Sequence, residues 1–328
     1  MKFSSDRFAH IAAGMRRARI AVIGDVMLDR YVWGVVERIS PEAPVPIVTL
    51  TGESVNLGGA ANVAANAASL GAKVTIFGVV GDDSEGKILT GLAHKHSFDE
   101  AGLVVDDARP TTVKTRVIAQ SQHVVRIDRE VVKPIAIETE ARLINRFQSI
   151  GDGFDAIILE DYNKGVLTPR LIEFLIESAR QSKIPIGVDP KKENFWAYRY
   201  ATIVKPNLRE LETALGRSLR DEQTFIEGCS EARSRLEADY LLVTRGEQGM
   251  ALVSEAAVDI IPTRAHRVAD VSGAGDTVIA TLITAMATGA AVKEAAALAN
   301  YAASIVIAEL GAVPVDLKEL ERTAVNSE

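Results

Sequence analysis

The sequence predicts an α/β fold: one doubly wound, mostly parallel sheet with helices on both faces, together with a small β-sheet lid. Three observations predict it. From residue 136 onward, helical patterns take turns with short, continuous apolar runs, which is how strands covered on both faces by helices read. Residues 111–130 (TTVKTRVIAQSQHVVRIDRE) and the segment at about 30–50 alternate polar and apolar positions instead. One face of such strands is solvated, so they belong outside the central sheet and form the lid. Finally, 328 residues that are 47% apolar and 25% charged suffice for one large core, and no repeat or low-complexity linker divides them. The chain therefore reads as a single domain, 1–328.

Taken in order, an amphipathic helix near 5–16 leads into the apolar run Arg19–Gly24, a buried strand that ends at a turn. Pro41, Pro44 and Pro46 mark edge strands and turns in the first lid segment. Gly59–Leu70 is an alanine-rich helix that Gly71 is placed to end, followed by a strand at Val74–Val80. The second lid segment is a hairpin with its turn at Ser121–Gln122. Helices are then expected at 136–149, 168–182, 207–215 and 221–236, and strands at 155–160, 185–188, 202–205 and 239–243. The uncharged run Thr277–Val292 contains Gly289, is too short for a membrane span, and reads as a buried core helix.

Composition excludes several functions. The net charge is −7, which repels polyanions, and the cluster Arg16, Arg17 and Arg19 is too small a basic patch to bind nucleic acid. A single cysteine, Cys229, allows no intramolecular disulfide and suits a reducing compartment. Ser5–Met15 lacks the apolar segment of a secretory signal, so a cytoplasmic protein is expected. There is no G-x-x-x-x-G-K-[ST], no G-x-G-x-x-G after the first strand and no G-x-S-x-G. His94 and His96 are two apart on a helical pattern and diverge, so the five histidines form no metal set.

The chemistry lies in four segments. In DVSGAGD (270–276), the small residues Gly273, Ala274 and Gly275 let consecutive amides turn toward an anion where a helix begins. An acid beside such an anion is unfavourable unless it acts, and Asp276 can take a proton from an attacking hydroxyl. The same residues would also serve simply to start a helix. In GGAAN (58–62), Gly59 permits close approach and Asn62 offers both a donor and an acceptor, although small residues also favour tight helix packing. GDVMLD (24–29) places Asp29 beyond the carboxyl end of a strand, where it can grip sugar hydroxyls or form an ordinary polar turn. In KPNLRE (205–210), Asn207 and Glu210 make a capping box, and a metal–phosphate role gains weight only from the other segments. TRGEQG (244–249) is either a hairpin turn or a nucleotide loop.

Together these segments resemble the ribokinase-like (PfkB) carbohydrate kinase family. Its two signatures match GGAANVA, with Gly71 and Gly81 at the family spacing, and DVSGAGDT, and the likeness spans about 19–312. GDVMLDRYVWG, ERISPEAPVPIV, LEDYNKGVL and KPNLRELE are further similar to the kinase part of heptose 7-phosphate kinase/heptose 1-phosphate adenylyltransferase proteins. No H-x-G-H motif of the adenylyltransferase part is present, so the likeness is to a stand-alone kinase.

The resemblance implies transfer of the ATP γ-phosphate to the anomeric hydroxyl of D-glycero-β-D-manno-heptose 7-phosphate, a step toward ADP-heptose and the lipopolysaccharide core. It implies Asp276 as base, with Gly273, Ala274 and Gly275 as anion hole. Asp29, Gly59 and Asn62 would hold the sugar. Asn207 and Glu210 would organise Mg²⁺, Glu210 through water, while Thr244, Gly246 and Asn300 line the ATP pocket. Asp270 stands where some members hold a monovalent cation. The 7-phosphate needs a cation, for which Arg116, Lys164, Lys191 and Lys192 are candidates. Val278, where many members carry Phe, and Arg209 depart from the pattern and bear on the shape of the nucleotide pocket. Polar lid strands of this kind suit pairing in a homodimer.

Overall fold

The structure is a computed structural model that describes residues 1–120, 122–151, 153–264, 268–309, 311 and 313–326. Helix α1 (Ser5–Met15), capped by the Ser4 hydroxyl, leads into strand β1 (Arg19–Gly24). A long hairpin of β2 (Val26–Ile39) and β3 (Pro46–Gly59) precedes α2 (Ala60–Ser69) and β4 (Lys73–Val80). Helix α3 (Ser84–Lys95) and β5 (Asp99–Val105) lead to a second hairpin, β6 (Thr112–Ala119) and β7 (Gln122–Arg129). Next come α4 (Ile137–Ile150), β8 (Ala156–Glu160), α5 (Pro169–Ser182), β9 (Ile186–Asp189) and β10 (Ile203–Val204). Then follow α6 (Leu208–Leu215), α7 (Glu222–Leu236), β11 (Tyr240–Thr244), β12 (Met250–Val253) and β13 (Val258–Ile261). Helices α8 (Ala274–Met286), α9 (Val292–Val306) and α10 (Leu317–Asn326) complete the chain.

The main sheet has the order β13-β12-β11-β10-β9-β8-β1-β4-β5. It is parallel from β11 to β5, with β12 and β13 added antiparallel at one edge. The chain builds outward from β1 to β4 and β5, then returns to β8 on the other side of β1. That reversal makes the crevice beyond the carboxyl ends of β1 and β8 the place where such sheets bind ligands. Strands β8 and β9 are buried throughout, because successive side chains enter the cores on opposite faces. Ile20, Val22 and Ile158 pack on one face with residues of α2, α8 and α9, whereas Ala21, Ile23, Ile157 and Leu159 pack on the other with residues of α4 and α5. Cys229 is buried in α7, and burial pushes its thiol up to about 12, as an inert helix residue requires.

The expected lid strands form a separate four-stranded sheet, β3-β2-β6-β7. Its first hairpin is longer than about 30–50, because β2 and β3 stay paired across irregularities at Trp33/Gly34 and Val36/Arg38. The parallel register Asp29↔Lys114 and Tyr31↔Arg116 puts those four side chains on one face. Of the expected turn at Ser121–Gln122, Ser121 lies outside the described residues. The uncharged run beginning at Thr277 is not one helix to Val292: α8 ends at Met286, Gly289 turns at φ +80°, and α9 follows. Among the described residues no helix is long and apolar enough to cross a membrane.

Candidate active site

Helix α8 begins at the GAGD turn. Gly273 is its N-cap in the left-handed region at φ 78°, a conformation glycine adopts at least cost. The helix it opens is buried from Asp276 to Ala285, its positive end lies at this turn, and the Ala274 amide donates to the Val271 carbonyl at 3.3 Å. Asp276 itself is 5% exposed. Its Oδ2 accepts a hydrogen bond from Asn62 Nδ2 at 2.7 Å, and its Oδ1 one from the Tyr162 hydroxyl at 3.1 Å. Thr277 fastens the two helices one turn deeper, its hydroxyl donating to Asn66 Oδ1 at 2.9 Å. The early glycine segment and the late one thus meet in one place. Gly59 makes this possible: at φ 56°, a Cβ there would lie 2.3 Å from the Asp25 carbonyl oxygen.

Burial dominates the electrostatics. It raises the Asp276 carboxyl from 3.8 to about 6, opposed by the Asn62 hydrogen bond and reinforced by Asp189. Glu160 ends β8 fully buried, and burial followed by Asp189 holds its carboxyl well above the usual range. Asp189 ends β9 and pairs with the buried Lys205 at 2.7 Å. Glu160, Asp189 and Asp276 each bring a carboxylate oxygen within 4.8 Å of the others. Among the described residues, both Glu160 oxygens and Asp189 Oδ1 find no hydrogen-bond partner, although buried polar atoms are normally paired. Such a set of unfilled hard oxygens fits Mg²⁺.

The capping box is present: Asn207 Oδ1 accepts from Glu210 N at 2.8 Å, and Glu210 Oε2 accepts from Asn207 N at 2.9 Å. Glu210 Oε1 accepts from Lys191 Nζ at 2.6 Å, and that lysine lies 3.7 Å from Asp189 Oδ1 and over the Tyr162 ring. The Asn–Glu pair therefore reaches the acid cluster through Lys191. Lys192 is exposed, so the inward lysine of this pair is Lys191.

Of the other expected cations, Arg116 pairs with Asp29 and lies over the Tyr31 ring. Lys164 pairs with Glu130 at 2.7 Å, and Lys114 bonds the same carboxylate at 3.1 Å. Asp29 is thus engaged with Arg116 on one face of the second sheet. Asp270 accepts from the amides of Ser272 and Gly311.

Beside the GAGD turn lies a cavity of about 830 Å³ lined by Thr244, Gly246, Ala274, Gly275, Val278 and Asn300, among others, a volume in the range that holds cofactors. TRGEQG forms the turn between β11 and β12, the first of its two expected alternatives, and it also lines this cavity. Asn300 is buried and donates to the Pro262 carbonyl at 2.8 Å.

Sequence reasoning missed Glu160, Asp189, Lys205 and Tyr162. A signal was available: β8 and β9 are apolar runs that each end in an acid. A carboxylate at the buried carboxyl end of a parallel strand is costly unless it holds a partner there.

Residues 17–318 match the pfkB family carbohydrate kinase model. The chain is 45% identical over 307 residues to the bifunctional protein HldE of Pelobacter propionicus, and 42% identical over 314 residues to that of Geobacter sulfurreducens. These alignments cover 93% and 95% of this chain but 63% of each relative, so the chain spans less than two thirds of their length. The fold is similar to phosphofructokinase-2 from Escherichia coli in complex with potassium, with TM-score 0.77, 19% identity, and coverage of 94% of this chain and 98% of that one. It is also similar to ribokinase from Arabidopsis thaliana complexed with ribose and ATP, with TM-score 0.72, 18% identity, and coverage of 95% and 99%. With both glycine signatures meeting at Asp276 and the family match spanning nearly the whole chain, the protein belongs to the pfkB family of ATP-dependent carbohydrate kinases.

Proposed function

We propose that this kinase phosphorylates the anomeric hydroxyl of D-glycero-β-D-manno-heptose 7-phosphate, giving the 1,7-bisphosphate for ADP-heptose and lipopolysaccharide core synthesis. The observation that carries the catalytic part is the Asn62–Asp276–Tyr162 arrangement at the head of α8. The sugar specificity is supported by the likeness to HldE proteins over 93% of the chain and by the cations Arg116, Lys164 and Lys191 around the crevice.

In this reading Asp276 receives the hydroxyl proton while Asn62 and Tyr162 fix its carboxylate. The amides of Gly273 to Gly275 face the charge that develops on the transferred phosphoryl group. ATP lies in the cavity between Gly246 and Asn300. Glu160 and Asp189 would hold Mg²⁺, with Glu210 acting through water, and when bound the ion would neutralise phosphate charge. In the same reading Asp270 holds a monovalent cation. The second sheet acts as a lid that excludes water, with Asp29 and Arg116 on one of its faces. Its edge strand β7 exposes Val124, Val125 and Ile127, which supports pairing of two subunits there.

A panel of acceptors in an ADP-release assay tests the substrate. Heptose 7-phosphate in one anomeric form is expected to exceed fructose, ribose and fructose phosphates in kcat/KM by at least about a hundredfold, because losing a buried charged contact costs several kcal/mol. Preference for a fructose phosphate or a free sugar would overturn the assignment. Binding without turnover of any acceptor would point to a sensing module.

The Asp276 carboxyl also sets a pH dependence. Its ionised form is the base, so kcat is expected to fall as pH drops through about 6, or somewhat lower once a bound cation adds its charge. The stability sign is opposite. Because the folded value lies above the ordinary 3.8, this group's contribution is complete below that value and is lost as pH rises through about 6. An acid limb of the kcat profile above pH 7 would contradict the assignment.

A further inference from the structure

Asp25 follows β1 and is 1% exposed. Its carboxylate is spent on backbone. Oδ2 accepts from the amides of Tyr162 at 2.8 Å and Lys164 at 2.9 Å, and Oδ1 from that of Val166 at 3.2 Å. The loop it gathers is bent tightly: Asn163 has φ 54° and Gly165 φ 87°, and a Cβ at Gly165 would sit 2.0 Å from the Lys133 carbonyl oxygen. Left-handed residues persist only where their surroundings over-determine them, and three amides converging on one buried carboxylate supply that determination. The same residue's carbonyl accepts from Ala60 N at 3.0 Å, fixing the first turn of α2. Tyr162 and Asn62, which grow from these two segments, are the donors to Asp276.

We propose that Asp25 is the positioning residue of this site: through backbone amides and its own carbonyl it sets both side chains that orient the Asp276 carboxylate. Its side chain acts on the Tyr162 half of that pair, since the Ala60 contact uses only its backbone. The inference rests on Asp276 being the base, and the experiment keeps the two claims apart.

The test compares Asp25→Asn, Tyr162→Phe and the double variant in the intact protein. Asparagine keeps the volume but turns an N–H toward a point where three donors already meet. The expected result is a kcat lowered about ten- to a hundredfold with KM for ATP unchanged, as for a misplaced catalytic group. Amide exchange at residues 162, 164 and 166 should rise while β1 and β8 stay protected. In the Tyr162→Phe background the further loss from Asp25→Asn should largely vanish, because the two act through one contact.

Wild-type kcat in Asp25→Asn, or losses that simply multiply in the double variant, would overturn the proposal. Should Asp25→Asn not fold, Tyr162→Phe alone decides: wild-type kcat there sinks it, and a loss of kcat at constant KM upholds the loop's role. If Asp276→Asn is inactive while Asp25→Asn is fully active, only this inference fails. If Asp276→Asn is active, the base assignment fails first.

Discussion

Asp276→Asn is expected to lower kcat by about a hundred- to ten-thousandfold, the range that a general base supplies, while ATP binding persists. Asp276 does not line the cavity proposed for ATP, so a titration with ATP should give a nearly unchanged Kd. Folding supplies a control. The wild-type carboxylate is ionised at pH 7 in a place that raises its carboxyl to about 6, and a neutral amide removes that cost. The variant should therefore unfold at the same denaturant concentration as wild type or a higher one. A variant that is inactive and equally stable identifies a chemical role. Near-normal turnover would remove Asp276 from the mechanism.

The second large effect concerns stability. Lys205 is buried, pairs with Asp189 at 2.7 Å, and stands close to the GAGD turn: a Cβ at Gly275 would lie 3.5 Å from its Nζ. Lys205→Met leaves Asp189 beside Glu160 and Asp276 without that cation. Breaking a buried ion pair from one side costs about 3–5 kcal/mol. Lys191, at 3.7 Å from the other Asp189 oxygen, compensates in part, which sets the expectation at about 3 kcal/mol, near the low end. Urea unfolding at pH 7 measures it, and an unchanged midpoint would show that the pair contributes nothing to the fold.

Much of the architecture was legible because burial on both faces leaves a plain trace. The apolar runs from 155 to 243 emerge as β8, β9, β10 and β11 within a residue or two of their expected limits. Strand β10 shrinks to Ile203–Val204, since Pro206 cannot continue a sheet. Other elements left no such trace. Pro41 and Pro44 fall in the turn between β2 and β3 and Pro46 opens the edge strand β3, as expected of them, but nothing in the sequence marks how far that pairing runs, from Val26 to Gly59. Helix α3 and the alanine-rich α9 have little sidedness, so neither stood out by periodicity.

The site divides the same way. Its glycine turns are visible in sequence because they need special backbone conformations, and the structure brings Asn62 and Asp276 into direct contact. The acids Glu160 and Asp189 and the cation Lys205 were not singled out, since each looks like the polar end of an ordinary strand until the sheet sets them side by side. The basic candidates Arg116 and Lys164 were visible as charges, but their pairing with Asp29 and Glu130 depends on strand register and loop path.

The central claim is most directly tested by a structure of the ternary complex with a non-hydrolysable ATP analogue and the sugar phosphate. The account predicts the acceptor hydroxyl within about 3 Å of an Asp276 carboxylate oxygen, the reach needed for proton transfer, with the terminal phosphate on the amides of Gly273 to Gly275. An acceptor bound beyond reach of Asp276, or a nucleotide whose terminal phosphate points away from that turn, would contradict it.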